Sequence, residues 1–243
     1  MTTPQSINYG TRARLGLLLP SGNQAAEPQF NAMLPAGVSL HTTRLKLTGS
    51  SEADLLAMTE RVEDAAALAA DSQADLVLFH CTAVSTFSVD LEQSIKARVA
   101  RASGRPTALT SEAIVAALAK LGAKRIVMLS PYPDHINQRE AAFFAAHGIE
   151  SIDLAGLDCQ DANAMMAVTP ERWVEFALAH RHPDAEAYLL SCTTVRTAEV
   201  AERIEQALGK PVITSNTAAI WYCLRKLGID DRVPGFGRLL TAS

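Results

Sequence analysis

Short apolar runs alternate along this chain with longer segments in which apolar residues recur every three or four positions. The short runs have the length and aliphatic content of buried strands, and the longer segments have the period of amphipathic helices. Strands that alternate with helices in this way form βαβ units and a parallel sheet. The pattern predicts strands over residues 15–19, 39–45, 76–80, 107–109, 126–129, 151–154, 187–190 and 212–214.

The segments between these runs predict seven helices. The first opens at Ser51 and carries acidic residues in its first turn, as helix starts often do. By contrast, the polar residues 1–12 have no apolar period and predict a flexible tail. The predicted helices cover residues 51–70, 89–102, 111–121, 135–147, 170–179, 197–208 and 217–227.

An internal repeat accompanies this alternation. Residues 76–82 (LVLFHCT) resemble residues 187–193 (AYLLSCT) at an offset of 111, and residues 14–20 correspond to residues 125–131 at the same offset. Residues 105–111 (RPTALTS) resemble residues 210–215 (KPVITS) at an offset of 105. Cys81 and Cys192 therefore occupy the same position in two related units, each at the end of a predicted buried strand.

The repeat divides the chain into two halves. We place the first half at residues 13–110 together with the C-terminal helix and its continuation, residues 217–243, and the second half at residues 111–216. The predicted fold class is α/β, with two similar flavodoxin-like parallel-sheet halves related by pseudo-two-fold symmetry. Ligands of open α/β sheets bind beyond the carboxyl ends of the strands, so the active site is expected in the cleft between the halves.

Composition and net charge disfavour several classes of function but do not identify the activity. Apolar residues make up 48% and charged residues 20% of the chain, as in ordinary globular enzymes. A net charge of −4 gives no basis for binding nucleic acid or an anionic membrane surface. No apolar run approaches the ~20 residues that cross a bilayer. Four cysteines without a secretory signal favour reduced thiols in the cytoplasm.

The duplicated cysteines are the strongest chemical signal. A thiol where a strand turns into a helix lies near free backbone N–H groups and the positive end of the helix dipole, which lower its pKa. One thiol could then act as nucleophile or base while its protonated twin acts as acid. A single strand-end cysteine is more often a small buried hydrophobe, but a matched pair favours function. At least one of the two should alkylate faster at neutral pH than Cys159 or Cys223.

Turns at the ends of two corresponding strands add polar candidates. The run Pro20-Ser21-Gly22-Asn23 could present the Asn23 amide to a ligand oxygen, although these residue types also form ordinary turns. In the second half, Tyr132 could stabilise a developing oxyanion. No Cys/His cluster has zinc spacing, and nucleotide-binding glycine motifs are absent from the sequence. No metal and no cofactor are predicted.

The chain resembles the aspartate/glutamate racemase superfamily, and within it the maleate cis-trans isomerases and the related arylmalonate decarboxylases. The resemblance extends from Arg14 to Leu240 and depends on motifs spread along both halves. They are LPSGN at 19–23 with Glu27, HCT at 80–82, SPY at 130–132 with Asn137 and Glu140, DAN at 161–163, SCT at 191–193, and PGFGRL at 234–239.

The resemblance implies cofactor-independent isomerisation of a small unsaturated dicarboxylate, maleate to fumarate. Cys81 would add to the double bond to give a covalent thioether, and Cys192 would move a proton on the other face. Asn23, Tyr132 and Asn163 would hold the carboxylates and the developing enolate. The remaining substrate-binding residues implied are Pro20, Ser21, Thr82, Ala83, Val84, Thr193, Thr194 and Val195. A homo-oligomer, dimer or tetramer, is also expected.

Two other functions stay open at this stage. A racemase or an arylmalonate-type decarboxylase could act on a related acid through the same pocket, and a non-catalytic carboxylate-binding protein could retain the fold. The decarboxylase branch usually keeps only the second cysteine, so the presence of both favours the isomerase. Gly22 stands where the family commonly has serine.

Overall fold

Two parallel sheets organise the computed structural model, which describes residues 7–47, 49 and 51–242. Each sheet has four strands. The first contains β1 (Ala13–Pro20), β2 (Val38–Leu45), β3 (Leu76–Phe79) and β4 (Thr107–Leu109), and the second contains β5 (Arg125–Ser130), β6 (Glu150–Gly156), β7 (Ala187–Leu190) and β8 (Val212–Thr214).

Helices connect successive strands throughout the described residues. Two short 3-10 turns, Thr59–Arg61 and Arg238–Leu240, accompany them. The α-helices are α1 (Ala26–Met33), α2 (Glu52–Met58), α3 (Val62–Asp71), α4 (Thr82–Ser85), α5 (Val89–Ser103), α6 (Thr110–Lys120), α7 (Asp134–Ala146), α8 (Ala162–Ala167), α9 (Pro170–Ala179), α10 (Ala198–Leu208) and α11 (Ser215–Lys226).

Strand order repeats in the two sheets. The first runs β2-β1-β3-β4 and the second β6-β5-β7-β8, with every pairing parallel. This is the order of the first four strands of the flavodoxin-like fold. The predicted α/β class, with two similar halves, is confirmed. Because β3 and β7 take the same place in their sheets, the residues that follow them reach corresponding positions at the carboxyl edges.

Local patterns predicted most of the elements. All eight predicted strands are present, three with unchanged bounds, and the seven predicted helical segments are helical. The continuous helix expected over residues 51–70 is wrong in detail, because the 3-10 turn Thr59–Arg61 divides it into α2 and α3 and Arg61 leaves the helical region at φ −105°, ψ 14°. The pattern did not predict α1, α4 or α8, which have only eight, four and six residues.

Each central strand buries side chains on both faces. In β1, Leu18 belongs to one apolar cluster, whereas Leu15 and Leu17 belong to a second. Strands covered on both faces need near-continuous apolar sequence, which explains the short uninterrupted runs. Both clusters contain residues from both sheets, and α6 and α11 pack against each other within the second cluster. The two halves therefore share their cores.

The residues that precede β1 contact the first sheet and a segment near residue 231. Asn8 Nδ2 donates to the Val38 carbonyl at 2.8 Å, and Arg12 pairs with Asp231 at 2.5 Å. These contacts hold residues 8 and 12, both within the predicted tail, whereas residues 1–6 lie outside the described part of the chain.

None of the described helices combines the length and the apolar character of a membrane-spanning segment.

Leu17→Ala tests the shared core. Leu17 is fully buried in β1 (0% exposed), so its truncation should lower the free energy of unfolding by about 2–5 kcal/mol through lost burial and a residual cavity. Leu68 on α3 is 62% exposed, and Leu68→Ala should change the free energy of unfolding by less than about 0.5 kcal/mol. Urea unfolding measures both. Equal losses in the two variants would contradict the burial assignment.

Candidate active site

Both duplicated cysteines line one pocket. Cys81 directly follows β3 and Cys192 directly follows β7, and their side chains border a cavity of about 330 Å³ between the two halves. The cysteines are 6% and 3% exposed, respectively. The structure therefore brings the two thiols to a single site and shields them largely from water.

The predicted site residues divide into those at the pocket surface and those behind it. Besides the cysteines, the pocket is lined by Pro20, Ala83, Tyr132, Asn163, Thr193 and Thr194. Ser21, Asn23, Thr82, Val84 and Val195 are not among the lining residues. Val84 and Val195 are buried in the first apolar cluster, and the polar side chains of the other three are engaged in hydrogen bonds within the protein.

Asn23 is buried behind the pocket surface, and its predicted contact with a ligand stays a prediction. Its Oδ1 accepts from the backbone N–H groups of Ala25 and Ala26 at 3.0 and 2.9 Å, which holds the turn that leads into α1. Its Nδ2 donates to Thr193 Oγ1 at 3.0 Å. Asn23 thus joins the turn after β1 to the loop that carries Cys192, and it shapes the pocket from behind.

Several lining residues were missed by the sequence reasoning. Leu47 and Gly49 follow β2, Leu55 lies on α2, and Ile136 lies on α7. The carboxyl end of β2 was a usable signal for the first group, because ligands bind at that edge of a sheet. The remaining missed lining residues are Gly22, Gln24, Asp161, Ala162 and Met165.

A hydrogen bond between the halves orients Asn163. Gln24 Nε2, from the turn after β1, donates to Asn163 Oδ1 at 3.0 Å. An amide that accepts through its oxygen keeps its two N–H donors. Asn163 can therefore donate to a carboxylate in the pocket, which is the role expected of it, with Gln24 fixing the direction of the amide.

The first two residues of α11 connect the two cysteine loops. Ser215 Oγ accepts from Thr82 Oγ1 at 2.9 Å and from the backbone N–H of Cys192 at 3.1 Å. Asn216 Oδ1 lies 2.8 Å from His80 Nε2, and Asn216 Nδ2 donates to the Thr193 carbonyl. Burial lowers the pKa of His80 to about 4, so its ring is neutral at pH 7 and Nε2–H donates to Asn216.

Backbone donors approach each sulfur. The backbone N–H groups of Val84 and Ala83 in α4 act to lower the pKa of Cys81, and Cys192 Sγ accepts from the N–H of Thr194 at 3.3 Å. Cys192 itself has φ +104°, a conformation that is rare for residues other than glycine. The loop after β7 thus turns sharply at Cys192, which brings its sulfur within reach of the Thr194 N–H.

Tyr132 is held from both sides of its backbone. Its N–H donates to Ser130 Oγ at 2.9 Å, and its carbonyl accepts from Asn137 Nδ2 at 3.2 Å. Gly156, at the end of β6, lets this turn approach the sheet, because a Cβ there would lie 2.1 Å from the Tyr132 carbonyl oxygen. The Tyr132 hydroxyl acts on the ionisation of Cys192 and lowers its pKa, so the phenol lies near the second thiol.

Comparison with known proteins agrees with this geometry. A family model described as Arylmalonate decarboxylase matches residues 15–240. The chain belongs to the arylmalonate decarboxylase family. It is 28% identical to a maleate isomerase from Nocardia farcinica over 93% of this chain and 95% of that protein. It is 31% identical to an arylmalonate decarboxylase from Bordetella bronchiseptica over 58% of this chain and 60% of that protein.

A solved structure shares the fold of this arylmalonate decarboxylase family member. It is a mutant of the Nocardia farcinica maleate cis-trans isomerase with a covalently bound succinylcysteine intermediate. The two chains superpose with a TM-score of 0.89 at 24% identity, over 94% of this chain and 98% of the other. The resemblance inferred from the motifs is confirmed.

In this family member, burial dominates the ionisation of the thiols. It raises the pKa of Cys81 to about 12 against the opposing backbone N–H of Val84, and the pKa of Cys192 to about 11 against the Tyr132 hydroxyl and the Thr194 N–H. The prediction that a helix start makes these thiols acidic is therefore wrong for the ligand-free protein. After Cys81, α4 is a single turn, whose few N–H groups do not offset the loss of water. After Cys192 the chain bends, and the next helix, α10, begins only at Ala198.

Neutral groups supply the donors of the site. Among the described residues that line the pocket, none is Lys, Arg or His, and Asp161 is the acidic one. Burial, then the charge of Cys192, raises the pKa of Tyr132 well above its usual value, so its hydroxyl stays protonated as a donor. Across the described ranges, no three His, Cys, Asp or Glu side chains are grouped as metal ligands. An anion here would be held by amides, N–H groups and a phenol.

The pH dependence of alkylation tests the shielded thiols. In the ligand-free protein, iodoacetamide should modify Cys192 slowly at pH 7, and the rate should rise about tenfold per pH unit until it approaches its pKa of about 11. Peptide mass spectrometry between pH 7 and 10.5 gives the profile, with denaturant-unfolded protein as the accessible control. Rapid modification that does not change across this range would contradict it.

Proposed function

We propose that this protein catalyses cofactor-independent cis-trans isomerisation of maleate to fumarate through Cys81 and Cys192. The observation that carries the proposal is the presence of two thiols, from corresponding strand ends, in one pocket with neutral hydrogen-bond donors. The similarity to maleate isomerases over more than nine-tenths of the chain supports it. The succinylcysteine intermediate in a structure of the same fold supports a covalent path.

Addition is the first step of the proposed reaction. Because both thiols are protonated at rest, Cys81 first loses its proton to solvent. The resulting Cys81 thiolate forms a C–S bond to one olefinic carbon, and the π electrons move toward the adjacent carbon and its carboxylate. The Cys192 thiol then gives its proton to that adjacent carbon. The products are a succinyl thioether on Cys81 and a thiolate at Cys192, with no change in oxidation state.

Rotation and elimination complete the cycle. The former double bond is now a single bond, so the carboxylates can turn from the cis to the trans relation. The Cys192 thiolate removes a proton from the carbon it protonated, the double bond re-forms, and the C–S bond breaks. Fumarate leaves, and the charge returns to Cys81. The same groups therefore serve both directions of the reaction.

Neutral hydrogen-bond donors would stabilise the negative charge that develops on the substrate carboxylate during addition. Electron density builds on a carboxylate as the thiolate adds, and donors held in place stabilise it without reorganising. Asn163, directed by Gln24, and the Tyr132 hydroxyl are suited to this role, as are the backbone N–H groups beside the two sulfurs. A neutral donor set also suits a site where one thiol must carry negative charge.

Decarboxylation of an arylmalonate is the second candidate. The pocket has an apolar side formed by Leu47, Leu55, Ile136 and Met165, which would accommodate an aromatic or alkyl group. The matching family model and the Bordetella bronchiseptica relative carry that activity in their names. The second thiol at Cys81 favours isomerisation.

The homo-oligomeric state and the cytoplasmic location stay predictions.

The direct test follows the olefinic proton of maleate by NMR without added cofactor. The intact protein should form fumarate, and Cys81→Ala and Cys192→Ala should each lower kcat/KM by about 10²–10⁴-fold. Cys159→Ala is the matched control, because Cys159 does not line the pocket, and it should retain activity. Turnover that persists in either pocket variant would overturn the two-thiol mechanism. Loss of CO2 from 2-phenylmalonate with inert maleate would favour the decarboxylase.

Gln24→Leu tests the orientation of Asn163. Loss of the 3.0 Å hydrogen bond leaves the Asn163 amide free to turn its oxygen toward the substrate carboxylate, so kcat/KM for maleate should fall about tenfold. Gln138→Leu, an exposed glutamine on α7 outside this pocket, is the control and should have no effect. An unchanged kcat/KM in Gln24→Leu would show that Gln24 does not orient Asn163 for substrate binding.

A further inference from the structure

A buried carboxyl group lies next to the second cysteine loop. Glu140 on α7 is 1% exposed, and its Oε1 accepts a hydrogen bond from Ser191 Oγ at 2.5 Å. Ser191 directly precedes Cys192. Glu140 does not line the pocket. Among the described residues, the side chain of Glu140 is therefore hydrogen-bonded to the strand end that positions the second thiol.

The other oxygen of this carboxyl group has no partner. Glu140 Oε2 is buried and makes no hydrogen bond among the described residues. Buried carboxylates are normally paired or fully hydrogen-bonded, because an unsatisfied charge in a low dielectric is costly. A group left in this state in a folded protein calls for an explanation beyond packing.

The groups around Glu140 are those of the proposed reaction. Its charge acts on Cys81 after β3, on Cys192 after β7 and on Tyr132 after β5, and it opposes the ionisation of all three. The neighbouring cation is Arg139, half-buried on α7, whose guanidinium lies 4.1 Å from the centre of the Phe87 ring. The buried region thus contains several acids that compete to carry one negative charge.

We propose that Glu140 is a positioning residue whose charge moves the ionisation of the Cys81–Cys192 pair to higher pH. When its carboxyl is neutral, the hydrogen bond to Ser191 still orients the loop, and no like charge opposes ionisation of a thiol. When its carboxyl is charged, repulsion adds to the effect of burial, which already keeps both thiols protonated. Its consequence for turnover rests on the proposed function, whereas its effect on the thiols does not.

The ionisation of Glu140 falls in the range where this matters. Burial raises its pKa to about 7, against the opposing effects of the Ser191 hydrogen bond and the Arg139 charge. As pH rises through about 7, Glu140 becomes charged and pushes the titration of the thiols to higher pH. Removing its charge should therefore lower the pKa of Cys192.

Alkylation of the ligand-free protein tests the proposal without any substrate. Glu140→Gln removes the charge and keeps an oxygen that can accept from Ser191. A fall of one unit in the pKa of Cys192 gives about tenfold more thiolate, partly offset by its lower nucleophilicity. We expect Cys192 to react with iodoacetamide about three- to fourfold faster between pH 8 and 9, with the midpoint of the pH profile lowered by about one unit.

The chain contains a matched control. Glu92 on α5 is also a buried glutamate held by a serine, since Ser111 Oγ donates to its Oε1 at 2.5 Å, and its charge is not among those that act on either pocket thiol. Glu92→Gln should leave the profile unchanged. A Glu140→Gln profile that superimposes on the wild type, or an equal shift in Glu92→Gln, would overturn the proposal.

Ser191→Ala keeps the test decisive if Glu140→Gln fails to fold, as judged by circular dichroism. Without the Ser191 hydroxyl, the pKa of Glu140 should rise further, so that the carboxyl stays neutral to higher pH. Modification of Cys192 between pH 7 and 9 should then also be faster. An unchanged rate in this variant would exclude control by the charge of Glu140. Because none of these measurements uses maleate, failure of the proposed isomerase activity would be seen separately.

Discussion

Removal of water from two sulfur atoms is the constraint around which this site is built. A thiolate loses most of its solvation in a pocket of this kind, and the few backbone N–H groups at each strand end restore only part of it. Protonated thiols are therefore the resting state at neutral pH. Every polar group nearby matters through its effect on that balance, whether it donates to a sulfur, as the Thr194 N–H does, or repels its charge, as Glu140 does.

Geometry across the boundary between the halves depends on a few side chains that contact both. Ser215 and Asn216 follow β8, yet they bind the loop after Cys81 as well as the loop at Cys192. From the turn after β1, Asn23 donates to Thr193 beside Cys192, and Gln24 donates to Asn163 of α8. With cores that contain residues of both sheets, these bonds keep the two thiols in one pocket, which chemistry on a single small substrate requires.

Sequence patterns were sufficient for the fold and for the centre of the site. Uninterrupted apolar runs predicted β1 to β8, because strands covered on both faces need them, and the repeat placed Cys81 and Cys192 at equivalent strand ends. Three features depended on tertiary structure. The Asn23 side chain is engaged by the turn before α1, Leu47 and Leu55 reach the pocket from outside the matched sequence blocks, and burial reverses the expected acidity of the thiols. How much water a folded pocket excludes depends on tertiary packing and cannot be predicted from local sequence.

The backbone at Cys192 connects function with stability. A φ of +104° at a residue with a Cβ is a strained state, of order 1–3 kcal/mol, that glycine would adopt freely. Sulfur at this place in the loop is thus maintained against a conformational preference for having no side chain at all. A relative that had lost the need for the second thiol would relax at this position first, so glycine here would be a marker of descendants that keep the fold without the chemistry.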